Sequence, residues 1–271
     1  MATSNGIISI KGKLGDLIFY RVGKKVLIRK QAEEYQLSDN SKKSGKDFGE
    51  VSKLVAYIKK GFELFVKNYA LGELHSRLNK RIHEIFRTIP AVYLGHKQLS
   101  KGNINLLKGF EFNKTTALGS LLYQVPGAYP SPDGILDLTL PKASLSKFCK
   151  QVPRATKLLL QLHIFHFDLA GDDYEIHLIQ NLEISLKQAN FPGASLQVET
   201  NRAGERALLI AVGASYWLEQ DKLADRRYFA CRLTHVFHLR DGLPVPFVQE
   251  QKQAIAPVEE ISGLSWRLNE D

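Results

Sequence analysis

The sequence predicts an α+β fold: an N-terminal β-hairpin and an antiparallel helical hairpin, followed by an antiparallel β-sandwich of Ig-like architecture. Three observations carry this expectation. Apolar residues crowd two short runs on either side of Gly23, and from Phe48 to Ile89 they recur every three or four positions. Beyond about residue 115 they gather in long strand-like runs separated by Pro, Gly, Asn and Asp, which divides the chain into a hairpin-plus-helices region, 1–114, and a sandwich region, 115–271.

The first element is DLIFYRV (16–22) followed by KVLIRK (25–30), with Gly23 supplying the positive φ of a tight turn. Nearly every position on both faces of this hairpin is apolar, whereas a hairpin covered on one side only carries polar residues on the other, so both faces call for cover. The residues that carry this demand are Leu17, Phe19, Tyr20, Val26 and Ile28. Upstream, GKLGD (12–16) lacks the helix N-terminus that a phosphate loop needs, and reads as a turn between the strand IISI and the hairpin.

After a polar stretch with helix-start residues at 38–41, the seam Val51, Val55, Ile58, Phe62, Phe65 and Tyr69 predicts one helix over about 41–69. A second follows Gly72, with Leu74, Leu78, Ile82, Ile85 and Ile89 as its seam and Pro90 as its end. The short connection implies antiparallel packing. Lys46, Lys53, Lys60 and Lys67 fall seven apart on one stripe of the first helix, and Arg77 and Arg81 stand on the wet side of the second.

Strands are expected at 135–140, 158–170, 174–186, 195–200, 206–218 and 227–240, with a last one near 264–268. AGDD (170–173) and NRAGE (201–205) have hairpin lengths and residues, which predicts consecutive antiparallel pairing.

Charge is unevenly spread. Residues 1–114 hold 22 Lys and Arg against 10 Asp and Glu, leaving 15 against 18 for residues 115–271. A body of +12 facing one of −3 suggests a polyanion partner or head-to-tail contacts between copies. Cys149 and Cys231 lie far apart and read as buried small hydrophobes, with no zinc or disulfide pattern. The start, MATSN, lacks the basic and apolar regions of a signal peptide and no run is long enough to span a membrane, so cytoplasmic synthesis is expected. The final location, an extracellular or phage-like assembly included, stays open.

No catalytic motif is visible: G-x-S-x-G, H-E-x-x-H, Walker and G-x-G-x-x-G strings are all absent. His163 with His166, and His235 with His238, have metal-like spacing, but on strands residues three apart point to opposite faces, so a site would need His163 and His235 to meet across strands. Buried, hydrogen-bonded histidines are the simpler reading, and no metal or cofactor is expected. Asp168, Asp172 and Asp173 lack the ligand order of a calcium loop.

The string NGIISIKGKLGDLIFYRVGKKVLIRK, the helix start KDFGEVSKL and KGFEFN (108–113) resemble a group of uncharacterised proteins from Bacteroidota that carry a domain of unknown function. Gly12, Gly15, Tyr20, Gly23 and Arg29 match their N-terminal signature. The resemblance implies the order hairpin, helices, sandwich, and no activity or catalytic residue.

These readings converge on a non-enzymatic structural protein that self-associates through the hairpin residues Leu17, Phe19, Tyr20, Val26 and Ile28, and through complementary charge, into a filament, tube or lattice. The alternative is a binding module. There the sandwich offers Tyr123, Tyr129, Tyr216 and Trp217 to a glycan or protein, while Lys46, Lys53, Lys60, Lys67, Arg77 and Arg81, within residues 42–87, contact a polyanion such as nucleic acid.

Overall fold

The computed structural model describes residues 2–4, 12–23, 25–31, 36–70, 72–169 and 174–249, in two compact units, residues 1–42 and 43–271. In the first unit, β1 (Ala2–Ser4), β2 (Gly12–Leu14), β3 (Leu17–Val22) and β4 (Lys25–Lys30) form one antiparallel sheet in the order β1-β4-β3-β2. The expected hairpin is its centre, running from Leu17 opposite Lys30 to Val22 opposite Lys25. Gly23 makes the turn at φ +60°, a value that side chains with a Cβ rarely tolerate. The expected strand IISI lies outside the described residues, as do Asp172, Asp173 and the segment 264–268.

The second unit begins within the first turn of α1 (Asp39–Gly61), followed by α2 (Glu63–Tyr69) and α3 (Leu74–Thr88). One long helix was expected over 41–69, but Phe62 leaves the helical conformation at ψ 26° and divides it. Close packing accompanies the break: a Cβ on Gly61 would sit 2.5 Å from the Phe165 ring, so only glycine lets the end of α1 approach the sheet. Phe48, early in α1, meets His83, late in α3, at 5.5 Å between ring centroids, so the two helices run antiparallel as the short connection implies.

The β region holds β5 (Gly127–Pro130), β6 (Ile135–Leu140), β7 (Ala143–Ser144), the short α4 (Leu145–Phe148), β8 (Lys157–Asp168), β9 (Tyr174–Ser185), β10 (Asn190–Phe191), β11 (Ala194–Glu199), β12 (Glu205–Leu218), β13 (Asp221–Lys222), β14 (Phe229–Arg240) and β15 (Leu243–Pro244). The main sheet runs β15-β14-β12-β8-β9, with β13 paired to β12, and a smaller one runs β11-β6-β5. Leu136, Leu138 and Val198 of the smaller sheet pack on Ile164, Leu208, Ile210 and Leu239 of the larger, making the antiparallel sandwich.

The helices cover the opposite face of the main sheet. Val55, Phe62, Phe65 and Ile82 share one core with Phe165, Leu209, Cys231 and Leu233. The division between compact units falls after Lys42 and not at the expected 114/115: helices with one apolar stripe and a sheet with a second apolar face bury each other, and join in one unit. NRAGE also departs from expectation. It joins β11 to β12, which lie in different sheets, because β11 pairs with β6 instead. Turn residues specify a reversal of the chain and leave the pairing partner open.

Candidate assembly surface

The register of the N-terminal sheet assigns its faces. Leu14, Leu17, Phe19, Val26 and Ile28 share one, and Ile18, Tyr20, Val22 and Leu27 the other. No residue of this unit whose burial is described is buried; Leu14, Leu17 and Val22 are 64%, 42% and 57% exposed, and Phe19, Tyr20, Val26 and Ile28 are half-buried by their neighbours in the sheet. The Arg29 guanidinium lies 5.7 Å from the centre of the Tyr20 ring, so two residues of the N-terminal signature meet diagonally on one face. Basic groups frame both faces, Arg21 and Lys30 on the first, Lys13, Lys25 and Arg29 on the second, and Asp16 is the one acidic residue among the first thirty.

The lysine stripe separates into individual roles. Lys46, Lys53, Lys60 and Lys67 are all exposed, and Lys67 pairs with Glu63 at 2.7 Å. Lys46 and Lys53 line a cleft of about 510 Å³ with His96 and Lys97, but Glu50 and Asp168 line it too, and the Lys97 ammonium donates to the Phe86 carbonyl at 2.7 Å. The buried Asp47 carboxylate accepts the N–H of Gly95 at 3.1 Å and of Lys97 at 3.3 Å, tying this loop to α1. On α3, Arg81 pairs with Glu84 at 2.9 Å. Arg77 is half-buried and donates to the carbonyls of Glu111 at 2.6 Å and Phe112 at 2.8 Å, so it clamps the segment leading into the β region. Spacing could not separate that clamp from a solvated arginine.

His163 and His235 are not brought together. His163 pairs across the ladder with Ala211 on the helix side of the main sheet, whereas His235 pairs with Ile210, whose side chain faces the smaller sheet, so β12 and the thickness of the sheet separate the two histidines. His163 is 1% exposed between Phe62 and Phe65, at 4.8 and 5.2 Å between ring centroids, and burial pushes its pKa down to about 4. Among the described residues, no group of three or more His, Cys, Asp or Glu is placed to hold a metal. Cys149 and Cys231 are buried free thiols, and burial raises both.

Of the aromatic residues considered for stacking, Tyr216 is fully buried and donates its hydroxyl to the Lys150 carbonyl at 2.6 Å, so it cannot meet a glycan. Trp217 is half-buried with its Nε1 donating to Ser215 Oγ at 3.0 Å, while Tyr123 and Tyr129 are exposed. No described helix is long and apolar enough to cross a membrane. Comparison with protein-family models, curated proteins and solved structures finds no match for this chain.

Proposed function

We propose that this is a non-enzymatic assembly protein whose N-terminal sheet stacks between copies of the chain. The observation that supports it is a four-stranded sheet with apolar residues on both faces, in a unit where no residue of described burial is buried. The strands hold three, three, six and six residues. At about 3.3 Å per residue and about 4.8 Å between strands each face spans roughly 300 Å². One face therefore offers less than half of the ~800 Å² that each side of a standard interface buries, while both together approach it. A copy held on both faces has two neighbours, and such a contact need not close, which is the geometry of a filament or lattice.

Charge works in the same direction. Seven basic residues and one acid among the first thirty make like sheets repel, whereas the net −3 of residues 115–271 attracts them, favouring head-to-tail order. Sedimentation velocity over a concentration series tests the reading. Large species that form with concentration and disappear on removal of residues 1–30 or on Phe19→Glu agree with it; a strict monomer at high concentration and at every salt concentration overturns it.

The second reading, a binding module that holds a polyanion through residues 42–87, draws on the exposed Lys46, Lys53 and Lys60. It predicts an electrophoretic shift of nucleic acid at low salt that is lost at moderate salt. Absence of a shift at low salt removes it.

A further inference from the structure

The face of the main sheet turned toward the smaller sheet carries a divided core. One cluster holds Leu140, Leu160 and Val212, the other Leu138, Ile164 and Leu208, and Leu162 is only partly buried at the margin of both. A sandwich of this size ordinarily has one contiguous core between its sheets. Between the two clusters lies an open slot of about 170 Å³, walled by Leu138, Leu140, Leu160, Leu162, Leu196 and Val212. Its lining contains no charged and no aromatic residue.

The slot follows from the mismatch of the sheets. The main sheet continues through β8 to β9, where Leu160 stands opposite Leu182 and Leu162 opposite Gln180. The smaller sheet ends at β11, whose inward residues here are only Ala194 and Leu196. The smaller sheet is narrower than the main sheet, and among the described residues Leu162 and Leu182 are left only partly buried at the mouth. Gln180, exposed on β9, supplies a neutral amide there.

We infer that this slot binds a straight aliphatic chain, the end of an alkyl or acyl group, carrying a neutral hydrogen-bonding head. An apolar cavity of about 150 Å³ accommodates benzene, so the volume corresponds to about six carbons. Leucine walls from two sheets about 10 Å apart leave room for a chain in single file. The lining holds no cation to pair with a carboxylate, and the Gln180 amide can donate to and accept from a hydroxyl, or donate to an ester carbonyl.

Isothermal titration of the full chain with ethanol, 1-butanol, 1-hexanol and 1-octanol tests this. Affinity is expected to rise roughly fourfold per added methylene and to level off beyond about six carbons. Leu162→Phe, which fills the slot, is expected to abolish binding with an unchanged circular dichroism spectrum. Should that variant not fold, Leu196→Gln at the partly exposed wall is expected to weaken hexanol tenfold or more. No saturable heat, equal affinity across the series, or undiminished hexanol binding to folded Leu162→Phe overturns the inference. So does dissociation of oligomers by hexanol in sedimentation, which assigns the slot to a side chain of another copy.

Discussion

Strands β3 and β4 at one end of the chain and β12 near the other are similarly apolar, and their fates are opposite. Every residue from Ala207 to Tyr216 in β12 is buried, held between helices on one side and the smaller sheet on the other, whereas no residue of β3 or β4 is buried. Apolar content alone therefore does not decide burial. What decides it is whether the rest of the unit supplies a layer for each face, and among the described residues of 1–42 no helix or second sheet does so. The same property that makes β12 a source of stability makes β3 and β4 a surface.

The sharpest way to break this contrast is to remove equivalent rings from both. Phe165→Ala takes away a ring that touches Phe62 and Tyr57 between helix layer and sheet, and is expected to cost about 3–5 kcal/mol in urea denaturation. A loss under about 1 kcal/mol places the stability of this unit elsewhere.

Next in size is the acid response of the helix-to-sheet core. His163 is held neutral by burial, with a pKa of about 4 against an ordinary value near 6.5. The unfolded chain takes up the proton first, so stability is full above about pH 6.5 and falls progressively as pH drops toward 4, by about 3 kcal/mol in all. His163→Phe is expected to flatten the stability profile across that window. An unaltered slope in the variant assigns the acid response to other groups.

Gly61→Ala sharpens the question of how closely the layers meet. Its new Cβ collides with the Phe165 ring, and the expected cost is about 1–3 kcal/mol by denaturation. The smallest effect belongs to the other region: Phe19→Ala in β3 is expected to change protomer stability by about 0.5 kcal/mol or less, because little burial is lost. Its sedimentation profile, by contrast, is expected to shift from assemblies toward protomer. A large stability loss without a change in assembly shows that Phe19 serves its own chain.

Much of the fold was legible. Strand positions 135–140 were read without error, and the longer strands to within two residues, because alternation and turn residues are local properties. The helix seam was equally clear: Val51 through Tyr69 are buried in the order their spacing implies, while Phe48 at its start is exposed. Less of the candidate surface was. The residues Leu17, Phe19, Tyr20, Val26 and Ile28 could be named, yet their division into four on one face and Tyr20 on the other depended on register, and the added strands β1 and β2 carried too few residues to signal themselves. Arg77 read as a solvated charge because its acceptors, the Glu111 and Phe112 carbonyls, lie more than thirty residues away.

By itself the sequence determined which segments are strands and helices, which stripe of each is apolar, and that the basic charge collects toward the N-terminus. These depend on neighbours within a few residues, where backbone geometry sets the period. Only the tertiary structure decided that β11 pairs with β6, that the helices belong with the main sheet, and that the described residues of the N-terminal sheet are none of them buried. Those outcomes depend on which apolar faces find each other over long separations, and the hydrophobic effect that drives them is proportional to area and indifferent to sequence order.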